Sequence, residues 1–391
     1  SWDEVYKIIK SKIMTTNKDK IAGFVGDLSS MEASFTFKEF FERIIGVNNY
    51  DFRSSNNFID NSHRENYLFN STINGIEDSD LIFLIGTNPR FEATILNARI
   101  RKVHLENKPK IISLNDVGDL TYPYEFLDGS SKTIKDIFEG KNEISNEIIN
   151  SKKPLIILGE SFLDLKYAKN LFFKIKNFLL SNQKINDDWN SLNLISTDAS
   201  TVGNLDLDII NNEKNLIQEF QENRFEIVYL LGKDDFKFNK KNEFVIYQGS
   251  HGDKGAEIAD IILPGAAYTE QDGFFTNLEG KMQKAFKASY PPGKAKEDWK
   301  IINDLAEFIN NKKLFNDKQE LESSIINYIN LKKEKQKKIN QLNGHLDEFE
   351  EEKLLVKVKD YYFSNVIARA SKTMLDCNNA KLNIKRTGTE G

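Results

Sequence analysis

Seven short runs along the chain are built around adjacent apolar residues: "KIAGFVG" (20–26), "DLIFLIG" (80–86), "KPKIISLND" (108–116), "KPLIILGE" (153–160), "NLIST" (193–197), "EIVYLLGKD" (226–234) and "EFVIYQG" (243–249). A strand with one wet face alternates apolar and polar residues. A strand with both faces covered does not, and such strands belong to parallel sheets flanked by helices. Stretches with helical spacing lie between the runs, such as "YAKNLFFKIKNFLLSN" (167–182) and "NEKNLIQEF" (212–220). The alternation predicts an α/β fold of doubly wound, mainly parallel sheets, two of them for this many strands. Ligands of such sheets bind at the carboxyl ends of the strands.

The chain has 391 residues, enough for two or three domains of ordinary size. Its net charge of −5 is spread over both signs and gives no basic face for nucleic acid. The single cysteine, Cys377, rules out an internal disulfide and every multi-cysteine metal or iron–sulfur pattern within the sequence. His63, His104, His251 and His345 are far apart and form no zinc-binding pair. No apolar run is long enough to span a bilayer, and the start carries no signal-peptide pattern. A chain opening on Ser1 reads as a processed chain, a split-gene product or a piece of something longer.

Ser1 and Glu4 stand at capping-box spacing, and Trp2, Val5, Tyr6, Ile9 and Ile13 share one helical face. "MEASFTFKEFFERIIG" (31–46) predicts an amphipathic helix that stops at Gly46. After "PPGKAKEDWK" (291–300), charge-rich helices are expected to about residue 355, solvated on one side. "KLLVKVKDYYF" (353–363) reads as an edge strand. "SNVIARASKTMLDC" (364–377) reads as a short helix with Ile367, Ala370, Ser371 and Met374 on one side. The tail beyond residue 378 reads as disordered.

The strand-end loops carry fragments of chemistry. Neither usual phosphate-cradling glycine motif occurs. "GSHGDKG" (249–255) has Gly249, Gly252 and Gly255 three apart; a turn needing positive φ is favoured over an anion cradle. His251 beside Asp253 has no nucleophile placed next to it. "GESF" (159–162) lacks the second glycine of a nucleophile elbow. Cys377 reads as a buried or bystander thiol, and "NST" (70–72) fits a glycosylation sequon without other signs of secretion. Asp116 and Asp119 in "NDVGDL" and Asp234 and Asp235 in "GKDD" follow strands, where ligands bind and turn-formers also sit. No residue is assigned a catalytic, cofactor-binding or metal-ligating role.

The stretch "IADIILPGAAYTEQDGFFTNLEGKMQ" (258–283) resembles a signature of the molybdopterin oxidoreductase superfamily. It is carried by Asp260, Leu263, Pro264, Glu270, Gly273, Thr276, Asn277, Glu279, Gly280 and Gln283. "DSDLIFLIGTNPRFEATILNARIRK" (78–102) resembles the superfamily's strand–GxNP–helix segment. Within it, "GTNPRFEATILNARIRK", "YQGSHGDKGAEIADIILPGAAYTE", "PPGKAKEDWKII" and "FSNVIARASKTM" are similar to the large iron–sulfur subunits of respiratory complex I, NADH:quinone oxidoreductase. The likeness runs from about Ser1 to Cys377 and covers the portion of those subunits that lies after their ferredoxin-like region.

The resemblance implies two molybdopterin-type sheets followed by a helical region. Residues 1–76 and 150–290 would form one discontinuous lobe, 77–149 an inserted smaller one, 291–378 the charged helical region and 379–391 the tail. Working members hold two pterin guanine dinucleotides and place a Ser, Cys, selenocysteine or Asp on the metal. Here Asn115-Asp116-Val117 stands where the superfamily often has Asp-Pro-Arg, and no cysteine lies near the central strands. The resemblance thus implies a non-catalytic structural domain of the peripheral arm that has lost molybdopterin. Iron–sulfur clusters would belong to the ferredoxin-like region outside this chain. Its partners would be that region and other peripheral-arm subunits, with no nucleic acid and no direct membrane insertion. It would lie on the matrix side of the mitochondrial inner membrane or the bacterial cytoplasmic side. The alternative is an active molybdopterin-dependent, formate dehydrogenase-like domain; a nucleotide-binding protein is the weakest option.

Overall fold

The computed structural model describes residues 1–235, 239–336 and 349–387. Among them the strands in chain order are β1 (Ile21–Val25), β2 (Tyr50–Asp51), β3 (Leu81–Ile85), β4 (Lys110–Ser113), β5 (Glu125–Phe126), β6 (Pro154–Leu158), β7 (Leu192–Leu194), β8 (Ile227–Leu231), β9 (Phe244–Gly249), β10 (Ile261–Pro264), β11 (Gly273–Thr276) and β12 (Met282–Ala285). β10-β9-β8-β1-β2 make one sheet and β5-β4-β3-β6-β7 a second. Every pairing within these two sheets is parallel; β11 and β12 form an antiparallel hairpin. Every residue of β1, β3, β6 and β8 is buried, as their unbroken apolar texture requires.

The sheet boundary falls elsewhere than the sequence suggests. The expected lobe 150–290 would group β6 and β7 with the first sheet. Instead β6 pairs with β3 over its whole length and β7 pairs with β6. Fully buried parallel strands look alike in sequence, so apolar texture locates a strand without naming its neighbour.

The first helix, Trp2–Thr15, has the full Ser1–Glu4 capping box and buries Tyr6, Ile9 and Ile13. The second departs from expectation. Met31–Glu39 is helical, Phe40–Ile45 continues as a π-helical turn, and Gly46 ends it at φ 83°. It is not amphipathic, because Met31 to Lys38 are all buried. Its sheet side packs so tightly on β1 that a Cβ at Gly23 would lie 2.5 Å from the Phe37 and Phe41 rings. Helices Asp298–Asn310 and Lys318–Gln336 pack against it too. The buried charges find partners. Glu32 accepts from the Phe274 amide at 2.8 Å, and Lys38 Nζ donates to the Leu207 carbonyl at 3.1 Å and the Tyr328 hydroxyl at 2.6 Å.

Beyond residue 290, charge-rich helices are present at Asp298–Asn310 and Lys318–Gln336, the second burying Leu321, Ile325 and Ile329. Residues 331–336 of "LKKEKQKKINQ" lie on that helix, its last residues and the start of "DEFEEEK" lie outside the described residues, and 349–355 are not helical, which corrects the boundary expected near 355. The expected edge strand at 353–363 joins neither sheet. It is extended chain with one bridge, Lys353 to Ser130, and a 3₁₀ turn at Tyr361–Phe363. The following helix breaks at Ser371 into Val366–Ala370 and Lys372–Thr387. Residues 379–387 are therefore helical, not disordered, and 388–391 lie outside the described residues.

β1 and β8 are neighbours joined by chain running in opposite directions across the first sheet, and β3 and β6 are the same in the second. At the first of these points a Cβ on Gly26 would stand 1.9 Å from the Gly232 carbonyl oxygen, with no flexible side chain to yield. Gly26→Ala should lower unfolding free energy by about 1–3 kcal/mol or more, the usual cost of overpacking, measured by urea denaturation.

Candidate functional site

The carboxyl ends of the two sheets carry the same device. After β8, Gly232 is left-handed at φ 60°; after β3, Gly86 is left-handed at φ 67°. Across from each stands an extended glycine. Gly26 donates to the Leu231 carbonyl at 2.7 Å, and Gly159 donates to the Ile85 carbonyl at 2.9 Å. A Cβ on Gly159 would meet the Gly86 oxygen at 2.3 Å, as one on Gly26 would meet that of Gly232. The topological switch points, where such folds bind ligands, are thus drawn shut backbone to backbone. Nothing in local sequence pairs Gly26 with Gly232 or Gly86 with Gly159, which are far apart in the chain.

Above these points the loops present carboxylates. Burial raises Asp27 to about 6, with Asp198 adding repulsion. Burial raises Glu92 to about 7, although the Thr87 hydroxyl at 2.7 Å and the Asn88 amide both donate to it. Glu160 is raised by burial and then by Asp198, while the Thr197 amide and hydroxyl hold one oxygen at 2.8 and 2.9 Å. Asp235 moves the other way: burial is outweighed by Lys233 and by hydrogen bonds from Ser54 and Lys233. A cavity of about 270 Å³ opens between Arg53, Ser54, Glu160, Asp198 and Asp235. A smaller one of about 190 Å³ lies between Asp27, Glu92 and Asp198. Residues Lys357 and Lys359 of the extended C-terminal segment form part of these walls.

That segment lies along the strand ends. Leu354 donates to the Gly129 carbonyl at 2.7 Å, and its own carbonyl accepts from Asn115 Nδ2 at 2.7 Å. The Lys357 amide donates to Ser161 Oγ at 2.9 Å, and Lys359 Nζ meets Asp198 Oδ1 at 2.5 Å. Arg369, farther on, pairs with Asp253 beside β9.

Each sequence candidate has a definite place in the structure. Gly249, Gly252 and Gly255 are not at positive φ, which corrects the turn expected of them. Gly249 and Gly255 instead make room for Tyr247: added Cβ atoms would lie 2.3 Å from its hydroxyl and 2.8 Å from its ring. His251 contacts Ser250 Oγ at 2.9 Å, and its carbonyl accepts from the Tyr247 hydroxyl at 2.9 Å. Ser161 serves as the acceptor for Lys357, not as a nucleophile at an elbow. Asp116 and Asp119 accept the amides of Gly118 and Thr121 at 3.0 and 2.7 Å, as turn-formers do. Cys377 is exposed on the last helix. Asn70 Nδ2, where a glycan would attach, donates to the carbonyls of Glu65 and Leu192 at 2.7 and 2.6 Å. His63 and His104 join no cluster, His345 lies outside the described residues, and among the described residues no group of His, Cys, Asp or Glu could hold a metal ion.

The 258–283 stretch is built into the β11–β12 hairpin and its approaches. Asp260 accepts the Val245 amide at 2.8 Å, and Glu270 accepts the Ala267 amide at 3.0 Å. Asn277 closes the hairpin by accepting from the Lys281 amide at 2.9 Å. Gly280, at φ 77°, lies against Arg64, which is anchored in turn on Asp206 at 2.8 Å.

Residues 1–308 match the family model described as molybdopterin oxidoreductase. The chain belongs to the molybdopterin oxidoreductase family. Residues 320–377 match a second model, for the C-terminal part of the G subunit of NADH-ubiquinone oxidoreductase. The chain is 35% identical over 393 aligned residues to the NADH-quinone oxidoreductase G subunit of Rickettsia bellii, covering 99% of this chain and 56% of that protein. It is 34% identical to the NADH-ubiquinone oxidoreductase 75 kDa subunit of Reclinomonas americana, covering 98% of this chain and 59% of that one. It is 36% identical to the mitochondrial NADH-ubiquinone oxidoreductase 78 kDa subunit of Candida albicans, covering 96% and 54%. The chain thus spans somewhat more than half the length of these relatives. Among solved structures, acetylene hydratase from Pelobacter acetylenicus shares the fold over 94% of this chain and 66% of its own, with a TM-score of 0.51 at 14% identity. The chain itself has two parallel five-stranded sheets and a helical C-terminal region, and no helix among the described residues is long and apolar enough to cross a membrane.

Asp234 gives the clearest pH signature. Its side chain is 3% exposed, burial raises it to about 6, and only Oδ2 has a hydrogen-bond partner, the Tyr247 hydroxyl at 2.9 Å. A raised carboxyl favours folding while protonated. That contribution is complete below about pH 4 and lost as pH rises through 6. Between pH 4 and 7 the wild type should therefore lose on the order of 2 kcal/mol more stability than Asp234→Asn, at about 1.4 kcal/mol per pKa unit. Urea titrations of both proteins across that range check the difference.

Proposed function

We propose that the chain is a non-catalytic structural domain of the peripheral arm of NADH:quinone oxidoreductase, with the fold of a molybdopterin enzyme kept and its cofactor lost. The observation that carries the reading is the charge at the strand ends. The family's cofactor would bring two pyrophosphates to this cleft. The loops there offer Asp27, Glu92, Glu160 and Asp198, and burial pushes up the pKa of the first three, so their charge is already costly. A polyanion would add repulsion. The cations at the cleft are already engaged: Arg53 with Asp51, Lys233 with Asp235, and Lys357 and Lys359 of the C-terminal segment with Asp164 and Asp198. The thiol that could ligate a metal, Cys377, lies on the exposed last helix. These residues do not fit the group, and no reaction step is assigned to them.

In this reading the iron–sulfur clusters belong to a ferredoxin-like region of the full subunit outside this chain. The domain would brace that region and neighbouring arm subunits, on the matrix face of the mitochondrial inner membrane or the bacterial cytoplasmic face. The relatives' names, over nearly the whole of this chain, support the assignment. Purified protein should contain molybdenum and tungsten far below one atom per chain by elemental analysis. In native extracts the chain should migrate with a large NADH-oxidising membrane assembly. Stoichiometric metal with pterin would replace this reading with that of an active molybdopterin oxidoreductase.

A further inference from the structure

The segment after the charged helices poses its own problem. Residues 353–360 form no regular strand, yet Val358 and Lys359 line the cavities that hold Asp27, Glu92, Glu160 and Asp198. An extended chain without a sheet leaves its backbone groups to be satisfied singly. Here the second sheet's loops do this: Gly129, Asn115 and Ser161 each take or give one hydrogen bond to the segment. Ser131 adds another, accepting the Glu352 amide at 2.9 Å.

The anchor is Lys359. Its side chain, 45% exposed, lies at the rim of the cleft and pairs with Asp198 from the loop after β7, with Asp27 after β1 and Glu160 after β6 adding attraction. Burial works against its charge, but Asp198, Glu160 and Asp27 outweigh that cost and hold its pKa above the usual lysine range. The carboxylates gain reciprocally, since Lys359 is among the groups that lower Asp27, Glu160 and Asp235. Other cations share the cleft without belonging to this contact: Lys357 is 73% exposed and reaches Asp164 at 3.6 Å, and Lys233, held by the Phe52 carbonyl at 2.8 Å and by Ser54, pairs with Asp235 at 3.2 Å and also lowers Asp27.

We infer that residues 351–365 are a releasable strap, an occupant of the inter-sheet cleft supplied by the chain itself, latched by the ion pair of Lys359 with Asp198 and its flanking carboxylates. The strap contributes few apolar anchors: Leu355 is 61% exposed, Val358 38% and Tyr361 68%, with Leu354 its buried one. Its hold is therefore electrostatic and local, unlike that of the strands beneath. Release uncovers the acidic groove that Asp27, Glu160 and Asp198 line above the closed switch points, whose chemistry suits an extended, lysine-bearing chain. The latch depends only on the chain's own side chains, so its test stands apart from the elemental analysis that tests the proposed function.

Amide hydrogen exchange, read by mass spectrometry on the purified full chain, tests the latch. In Lys359→Met, which keeps the side-chain length and removes the charge, strap peptides covering residues 351–365 should exchange at least about ten-fold faster. Peptides covering β3, β6 and β8 should be unchanged, because local openings below the global stability leave core strands protected. Lys359→Arg, which keeps the charge, should restore most of the strap's protection. Strap exchange that is the same in Lys359→Met as in wild type overturns the proposal in favour of packing. Acceleration that spreads equally through the core strands also overturns it, by making Lys359 a general support of the fold.

Discussion

The cleft of this protein depends on two pairs of glycines. In each sheet a left-handed glycine turns the chain away from one central strand, while an extended glycine follows the adjacent strand close enough to touch it. Parallel strands at a switch point would ordinarily part, because their outgoing connections lead to opposite faces. Here the amides of Gly26 and Gly159 carry the pairing one residue past the strand ends. The loops beyond them are thereby set at fixed distances, and the carboxylates they carry are crowded together.

Crowding explains the electrostatics. A carboxyl in a narrow, partly dry space is held toward its neutral form by desolvation and like charge. Asp27, Glu92, Glu160 and Asp234 all show this. A fold that evolved around an anionic ligand would be expected to place donors and cations there. In this chain Arg53 and Lys233 are taken up by Asp51 and Asp235, and Lys357 and Lys359 are added by a separate C-terminal segment. Inside the first layer, on one buried helix, Glu32 Oε2 accepts from the β11–β12 hairpin and Lys38 donates to Tyr328.

Much of the architecture was legible because its cause is local. An apolar run with no alternation has to be buried on both sides, so the strands 81–85, 154–158 and 227–231 stand out from residue order alone. The capping box at Ser1 and the stop at Gly46 are likewise short-range chemistry. The readings that departed have non-local causes. The helix at 31–39 has polar residues at outward positions, and only the packing of the 298–310 and 318–336 helices over it turns those positions inward. The segment at 353–363 has the composition of a strand, but no open sheet edge lies where it passes.

The order of amino acids determined that there would be buried parallel strands with helices between them, because propensity, patterning and turn chemistry act over a few residues. It did not determine that β6 and β7 belong with β3. Nor did it determine that Gly249 and Gly255 serve the ring of Tyr247 and not a turn. Tertiary structure alone decided those, together with the meeting of Asp27, Glu160, Asp198 and Lys359 in one cleft. The reason is physical: electrostatic energy and close packing depend on distance in space, and residues so far apart in the chain acquire a distance only when the sheets have assembled.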